Sequence, residues 1–168
     1  MPGAHDVRAL AAPTVDFHSE ELAQLAPIEA VDEPDLRWNN SGSDQGFVFD
    51  QHHLWRLLAS IGTSWEWSWV SITNLETGAF GQSCGNVASG LAVEVGPTFS
   101  TVSLAVPTGA SRTPQEDIGR FGFAFKASPD ELHSVAIAVQ IIHRWVTLET
   151  LPEGLVLRPS FSRTKSRT

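Results

Sequence analysis

The sequence contains little cysteine and no long apolar run. Its 168 residues include one cysteine, Cys84, one methionine and no tyrosine. One cysteine cannot form an internal disulfide, and such sparing use is typical of a reducing compartment. The longest apolar stretch, residues 135–146, contains Gln140, His143 and Arg144 and is shorter than the roughly 18 residues of a membrane helix. The first residues also lack the basic and apolar regions of a secretory signal. We therefore expect a cytoplasmic protein with no membrane partner.

Positive charge is scarce as well. The chain has 11 lysines and arginines against 19 acidic residues, which gives a formal net charge of −8. Binding to nucleic acid is not expected, because neutralising phosphates requires clustered basic side chains. Residues 1–50 hold ten acids and two bases, whereas residues 158–168 hold four bases and no acid. The two ends are interpreted either as solvated tails or as a basic tail that docks on an acidic partner or on the acidic arm.

Composition divides the chain into three parts. Residues 1–45 are expected to form an acidic and partly flexible arm, with a short helix at about residues 19–26 and a loop at residues 39–43. Residues 46–157 have the apolar content of a single α+β domain. Residues 158–168 are expected to be a flexible basic tail.

Two helices are predicted inside the domain. Apolar residues recur at three- and four-residue intervals over residues 47–61, and Gly62 supplies a stop signal. The second helix opens at a capping box formed by Ser128 and Glu131, and its β-branched residues leave a strand open as an alternative after Ser134. Its apolar stripe consists of Leu132, Val135, Val139, Ile142 and Val146.

Strand patterns fill the region between the helices. They occur, in chain order, at residues 64–72, 79–80, 91–95, 99–106 and 121–125, with an edge strand at residues 155–157. The sequence thus predicts an α+β fold. In this fold an antiparallel sheet of about five strands is flanked by the N-terminal helix and by the long C-terminal helix, which packs on one face.

Aromatic residues alternate along two of the predicted strands. Alternation places the three rings of each strand on one face, and Trp145 of the long helix is expected to pack against them. Two interpretations remain open: the rings fill the core, or they line a pocket or platform for an apolar ligand or a partner protein. The candidate binding residues are Trp65, Trp67, Trp69, Phe121, Phe123, Phe125 and Trp145.

The polar loop at residues 107–119 is a second candidate for binding. Loops of about a dozen residues are often lids or contact surfaces, and otherwise they are simply mobile connections. Arg112 in this loop and Arg120 beside it join the candidate binding residues.

Signals for catalysis and for metal binding are weak. Residues 81–85 match the G-x-S-x-G spelling of a nucleophile elbow, but glycine-rich sequence rather than a helix follows them. Cys84 is expected to be a packed thiol, since the neighbouring sequence carries no group that activates it. The spacing of the histidines does not bring two of them to one helix face, so no metal and no cofactor are expected. Glu66 and Glu94 are expected on a solvated outer face of the sheet.

The sequence favours a non-catalytic intracellular binding protein of an immunity, adaptor or chaperone type, which engages a partner protein through an aromatic patch and an acidic surface. The alternative is a small pocket enzyme or carrier, of a cyclase or isomerase type, that holds an apolar ligand between the aromatic sheet face and the C-terminal helix. The partner is thus a protein or a small apolar ligand, and a homodimer is compatible with the sequence. A hollow space between sheet and helix favours the alternative, and a filled one with an exposed apolar patch favours the binding protein.

Overall fold

A seven-stranded antiparallel sheet forms the centre of the fold. The protein was analysed as a computed structural model, which describes residues 34–111, 116–118 and 125–160. Its strands are β1 (Leu36–Asn40), β2 (Gln45–Phe47), β3 (Trp69–Asn74), β4 (Phe80–Asn86), β5 (Gly90–Thr98), β6 (Thr101–Pro107), β7 (Glu116–Ile118), β8 (Phe125–Ala127) and β9 (Leu155–Pro159). The main sheet has the order β2-β1-β3-β4-β5-β6-β9, and β7 pairs with β8 in a separate ribbon.

Two helices, α1 (Gln51–Ala59) and α2 (Val135–Leu148), cover one face of the sheet. Helix α2 lies across β3, β4 and β5 and packs against α1. The predicted α+β fold with a helix-covered antiparallel sheet is confirmed, although the sheet has seven strands rather than about five. No helix in the described part of the chain has the length and apolar character needed to cross a membrane. The main core between helices and sheet includes Leu54, Leu58, Val70, Ile72, Val93, Val95, Val139 and Ile142.

Helix α2 carries four of the five residues of the predicted apolar stripe, and because it begins later than predicted, Leu132 lies in the turn before it. Its start is capped by the Ser134 hydroxyl, which accepts a hydrogen bond from the Ile137 amide at 3.3 Å. The capping box at Ser128 opens only a single 3₁₀ turn, Pro129–Glu131. The helix does not continue from this turn, because His133 pairs with Leu91 of β5 through two backbone hydrogen bonds of 2.8 Å. Tertiary strand pairing thus overrides the local start signal.

Helix α1 is shorter than the predicted helix. It begins after Asp50, whose carboxylate accepts from the His53 amide at 2.7 Å. Phe47 lies in β2 instead of in the helix. The stop at Gly62 follows the end of the helix by a few residues, and its φ of +85° is the left-handed conformation that favours glycine.

The loop predicted at residues 39–43 is shorter in the structure, because Asn39 and Asn40 belong to β1 and residues 41–44 form the turn of the hairpin between β1 and β2. Strand β1 lies between β2 and β3, with Trp38 opposite Gly46 on one side and Ile72 on the other. The Asn40 side-chain oxygen accepts from the amides of Gly42 and Asp44, which closes a tight turn. The boundary predicted at residue 45 therefore falls inside a hairpin of the sheet.

The remaining strands lie near their predicted places. The edge strand predicted at residues 155–157 is present as β9, which pairs with β6. Strand β6 is buried on both faces, because Ala105 faces the main core while Leu104 and Val106 belong to a second apolar cluster. The predicted helix at residues 19–26 lies outside the described residues, and so do most of the predicted strand at residues 121–125 and most of the tail.

A second, smaller core covers the sheet face opposite the helices, which we call the outer face. Alternation along the strands places Leu104 on this face, and the segment that leads into α2 packs over it. Because both faces are covered, a residue that points away from the helices is not necessarily solvated. The cluster comprises Cys84, Ala92, Leu104, Val106, Ile118 and Ala127, with Trp69, Ala110 and Leu132 partly buried against it.

Candidate functional site

The prediction that Trp65, Trp67 and Trp69 lie in a row on one face of a strand is wrong. Residues Trp65–Trp67 form a 3₁₀ turn, and β3 begins only at Trp69. The Ser41 hydroxyl of the hairpin turn donates to the Trp65 carbonyl at 2.8 Å and accepts from the Ser68 amide at 2.8 Å. This contact from a distant part of the chain holds the turn, so the period-two pattern of the sequence does not produce a strand here.

The three tryptophans consequently lie in three different environments. Trp65 is exposed to solvent. Trp67 packs at the margin of the main core and stacks on Trp38, with ring centroids 5.9 Å apart and planes inclined by 21°. Trp69 packs on the outer face against the second cluster.

Four aromatic rings form a connected chain beside β1 and β2. Trp67 stacks on Trp38, and Trp38 meets the His53 ring edge-on at 6.4 Å. His53 in turn stacks on Phe49, with centroids 4.8 Å apart and planes inclined by 20°. The chain leads from the buried Trp38 to the solvated Phe49, so it joins the core to the surface.

Three large rings at this end of the sheet remain largely in solvent. The exposed fractions are 53% for Phe47, 65% for Phe49 and 59% for Trp65. Phe47 belongs to β2, the last strand on its side of the sheet, and Phe49 lies two residues further on, beside the start of α1. Phe47 pairs with Arg37, so its ring points to the sheet face opposite Trp38, and the exposed rings flank the edge from both faces. Several exposed rings at one edge mark contact surfaces more often than isolated apolar residues do. We refer to Phe47, Phe49, His53, Trp65 and Trp67 as the aromatic patch.

His53 is the titratable group of the aromatic patch. The Phe49 amide donates to its Nδ1 at 3.1 Å, which requires that this nitrogen carry no proton. Burial lowers the pKa of His53 below its ordinary value of 6.5, Asp50 acts in the opposite direction, and Arg56 lowers it further. The neutral ring is thus the form that holds Phe49 in its stacked position.

A second histidine, His133, is buried between β5 and β6. Its Nε2 donates to the Ala105 carbonyl at 2.7 Å. Burial lowers the pKa of His133 from 6.5, while the hydrogen bond to the Ala105 carbonyl raises it. Both histidines therefore favour the neutral ring in the folded chain.

Stability is expected to fall as the pH drops below 6.5. The unfolded chain takes up protons on His53 and His133 around pH 6.5, whereas the folded chain does so only at lower pH. The contribution of the two histidines to the free energy of unfolding is thus fully present above pH 6.5, and it is lost as the pH falls toward their lowered pKa values in the folded chain. Urea unfolding at pH 7.5 and 5.5 measures the loss. A His53→Gln variant should lose less stability between these pH values, and an equal loss would show that His53 does not contribute.

The outer face holds a shallow, mostly apolar depression that the sequence did not indicate. It has no room for a water molecule and is lined by Trp69, Gln82, Ser83, Cys84, Ala92 and Glu94. The Gln82 amide donates to the Glu94 carboxylate across β4 and β5. The prediction that Glu94 is solvated is wrong, because the second cluster covers this part of the sheet and leaves Glu94 buried.

The G-x-S-x-G match lies within β4 and lacks the geometry of a nucleophile elbow. Ser83 sits in the middle of the strand and donates to the Ala92 carbonyl at 2.9 Å. A nucleophile elbow requires a sharp turn from a strand into a helix, which presents the hydroxyl to substrate. Here a tight connection leads from β4 into β5. The match is therefore a coincidence of strand sequence.

Cys84 is expected to resist alkylation in the folded chain. It is buried on β4, and burial together with the nearby Glu94 carboxylate raises its pKa to about 12. Because the thiolate is the reactive form, iodoacetamide at pH 8 should modify the native thiol at least tenfold more slowly than the thiol in urea. Mass spectrometry after timed quenching measures both rates. Equal rates would show that this face opens readily.

The remaining candidate residues do not join the tryptophans. Trp145 lies on α2 at the helical face, where its indole N–H donates to the Gly96 carbonyl at 2.9 Å. Phe125 lies in β8, opposite Ile118 of β7. Arg112, Arg120, Phe121 and Phe123 lie outside the described residues.

A buried ion pair is the strongest electrostatic feature that sequence reasoning missed. Arg158, assigned to the basic tail by the sequence, lies in β9 and reaches Glu131 in a two-pronged contact. Its Nε donates to Glu131 Oε1 at 2.6 Å and its Nη2 to Oε2 at 2.5 Å. The Ser128 amide also donates to Oε2 at 3.0 Å. The capping-box signal singled out Glu131, but no local pattern connects it to Arg158.

No metal site is indicated by the described residues, since no three histidine, cysteine, aspartate or glutamate side chains gather there. Comparison with known proteins adds no assignment: no family model, curated protein or solved structure matches this chain. The candidate site therefore depends on geometry alone, and the aromatic patch is the surface feature that the geometry distinguishes.

Proposed function

We propose that this chain is a binding protein that engages a partner protein through the aromatic patch. The observation that carries the proposal is the exposure of Phe47, Phe49 and Trp65 around one edge of the sheet, each by more than half of its surface. Keeping three large rings in water forgoes the several kcal/mol that their burial provides. Binding surfaces use such rings because they supply a large contact area with few rotatable bonds.

Rigid support for the rings favours recognition over accidental exposure. Phe49 is held by the stack on His53 and by the hydrogen bond that its backbone N–H donates to Nδ1 of the same ring. The backbone of Trp65 is fixed by the Ser41 hydroxyl. Rings that are already positioned in the free protein lose little conformational entropy on binding, which increases affinity.

The packing between α2 and the sheet argues against a ligand pocket at that place. Side chains of the main core on both layers are almost fully buried. At Gly81, an added Cβ atom would lie 3.2 Å from Cγ2 of Ile142, so helix and sheet are in close contact. The alternative of a pocket enzyme or carrier therefore gains no support from the described part of this interior.

A peptide-display experiment tests the proposal directly. Peptides selected from a random library on the wild-type chain are expected to bind a Phe49→Ser/Trp65→Ser variant at least tenfold more weakly. This factor corresponds to the loss of one well-packed aromatic contact. Fluorescence polarisation of the labelled peptides measures the affinities, and circular dichroism verifies that the variant is folded.

Phe99→Ser provides the matched control. Phe99 is 77% exposed in the turn between β5 and β6, outside the aromatic patch. It tests whether the loss of any exposed ring weakens binding. The proposal is wrong if the two variants lose affinity equally, or if selected peptides bind the double variant as well as the wild-type chain.

A further inference from the structure

Among the described residues, the outer edge of β2 is a strand edge whose backbone groups have no strand partner. Val48 donates to the Leu36 carbonyl at 2.8 Å, and Asn40 donates to the Asp44 carbonyl at 3.1 Å, so residues 44, 46 and 48 of the hairpin face β1. Backbone direction alternates along a strand, and the N–H and C=O groups of Gln45 and Phe47 therefore point away from β1. Within the described residues no strand pairs with this side.

Two exposed rings of the aromatic patch, Phe47 and Phe49, lie at this edge. Phe47 is itself an edge residue, and Phe49 follows it where the chain turns into α1. Gly46, which precedes Phe47 in β2, carries no side chain. An incoming strand thus meets two backbone positions to pair with and exposed rings to contact, which is the usual combination for strand addition by a peptide.

Acidic side chains lie at both ends of the edge. Asp44 precedes β2 in the hairpin turn, and Glu66 lies beside the same turn, where its carbonyl accepts from Gly42 at 3.1 Å. Asp50 lies at the other end, six residues after Asp44 and hence at most about 20 Å away along an extended chain. Within the described residues, no ion pair joins these three carboxylates to a basic side chain.

The carboxylates keep acceptor capacity for an incoming cation. One oxygen of each carboxylate accepts a hydrogen bond: the donor is the Asn40 side-chain amide for Asp44, the His53 backbone amide for Asp50 and the Ser64 hydroxyl for Glu66. Two arginines are near: Arg37 donates to Gln45, and Arg56 projects from the exposed side of α1. With three acids against these two bases in a chain of net charge −8, the edge is complementary to a basic segment.

We propose that the β2 edge binds an extended basic segment of a partner protein, which pairs with Gln45 and Phe47 as an additional strand. Basic residues about six positions apart in that segment face Asp44 and Glu66 at one end and Asp50 at the other. Its central side chains contact the aromatic patch. The inference rests on the proposed binding function and specifies the chemistry of the partner.

Hydrogen exchange of two amides tests strand addition. The probe is a seven-residue peptide that alternates threonine and valine between a lysine at each end. In the free chain, the Gln45 and Phe47 amides are expected to exchange rapidly, and saturating peptide is expected to slow both at least tenfold. A peptide of the same sequence with every backbone nitrogen between the lysines methylated has no pairing N–H group on either edge, and it is expected to give no protection.

Charge dependence is tested with the same peptide. Replacing its two lysines by glutamates is expected to weaken binding about tenfold, and an Asp44→Asn/Asp50→Asn variant should remove most of that difference. Asparagine caps a helix as well as aspartate does, so α1 is retained. A Glu76→Gln/Glu153→Gln variant changes the net charge equally at exposed sites elsewhere and should behave as the wild-type chain.

Several results would overturn the inference. Protection of Gln45 and Phe47 in the free monomer means that the chain already covers its own edge, and protection that grows with protein concentration means that a second copy covers it. The inference is also contradicted if the affinity does not depend on the charges at the ends of the peptide or on methylation of its backbone. If library peptides require Phe49 and Trp65 but leave the two amides unprotected, the binding function stands and only the strand addition is wrong.

Discussion

An Arg158→Met variant is expected to unfold with a free energy about 3–5 kcal/mol lower than that of the wild-type chain. The side chains of Arg158 and Glu131 are 4% and 0% exposed, so the change leaves a carboxylate buried without its cation. Other contacts of Glu131 remain, among them the hydrogen bond from the Ser128 amide, but a neutral donor does not replace a two-pronged guanidinium contact. Urea unfolding followed by tryptophan fluorescence measures the difference.

The double variant Arg158→Met/Glu131→Leu shows whether the instability of Arg158→Met comes from the unpaired carboxylate or from disrupted packing. Removing both charges leaves apolar groups of similar size, so most of the lost stability should return. An Arg158→Met chain as stable as the wild type would mean that Glu131 reaches water, and the buried pair would then have no structural importance. The ion pair also positions β9, because it joins this strand to the 3₁₀ turn at residues 129–131.

Trp38→Ala is expected to cost about 3–5 kcal/mol of folding free energy, because it removes the largest buried ring beside β2 and leaves a cavity. Trp38 is 3% exposed, and its ring contacts both Trp67 and His53. The variant should also weaken the peptide binding described above, since His53 loses the ring that lies behind it and Phe49 stacks on His53.

Trp65→Ala is the matched comparison for Trp38→Ala. It deletes the same side chain at a position that is 59% exposed, so its effect on stability should stay within about 0.5 kcal/mol. Binding is expected to fall in both variants, but stability only in Trp38→Ala. Similar losses of stability in the two would show that Trp65 is packed in solution, and Trp65 would then no longer belong to the patch.

Much of the fold could be predicted from the sequence because its signals are local. The apolar stripe of α2 repeats with the helical period, and Val135, Val139, Ile142 and Val146 are all buried as predicted. The strand positions of β5, β6 and β9 likewise follow from short β-rich runs between turn residues. Helix and sheet must cover their apolar faces, which leads directly to the α+β arrangement.

The errors occur where a distant segment competes with a local pattern. Trp65, Trp67 and Trp69 alternate as a strand does, yet the Ser41 hydroxyl of the hairpin turn binds the 3₁₀ turn that contains two of them. The asparagines at the end of β1 suggested a loop, yet Asn39 and Asn40 pair with Ser71 and Val70 of β3. In both cases the contact that determines the structure joins residues about 25 or more positions apart. Such a contact cannot be predicted from the period or the composition of a local segment.

The candidate site was only partly accessible from the sequence for the same reason. An aromatic binding surface was one of two interpretations of the sequence, but it was assigned to the strand faces, and Phe47 was placed in a helix. Among the predicted site residues, Trp65 and Trp67 belong to the aromatic patch. Phe49 and His53 join it only because the hairpin brings Trp38 against the first turn of α1.

By itself, the sequence determined the class of fold, the stripe of α2 and the acidity of the chain, because each depends on residues that are near neighbours or on composition alone. The tertiary structure decided which face of each strand is buried. It covered Glu94, paired Glu131 with Arg158 across 27 positions, and left Phe47, Phe49 and Trp65 in solvent. The physical reason is that burial depends on what packs over a residue, and that neighbour is brought by the fold rather than by the local sequence.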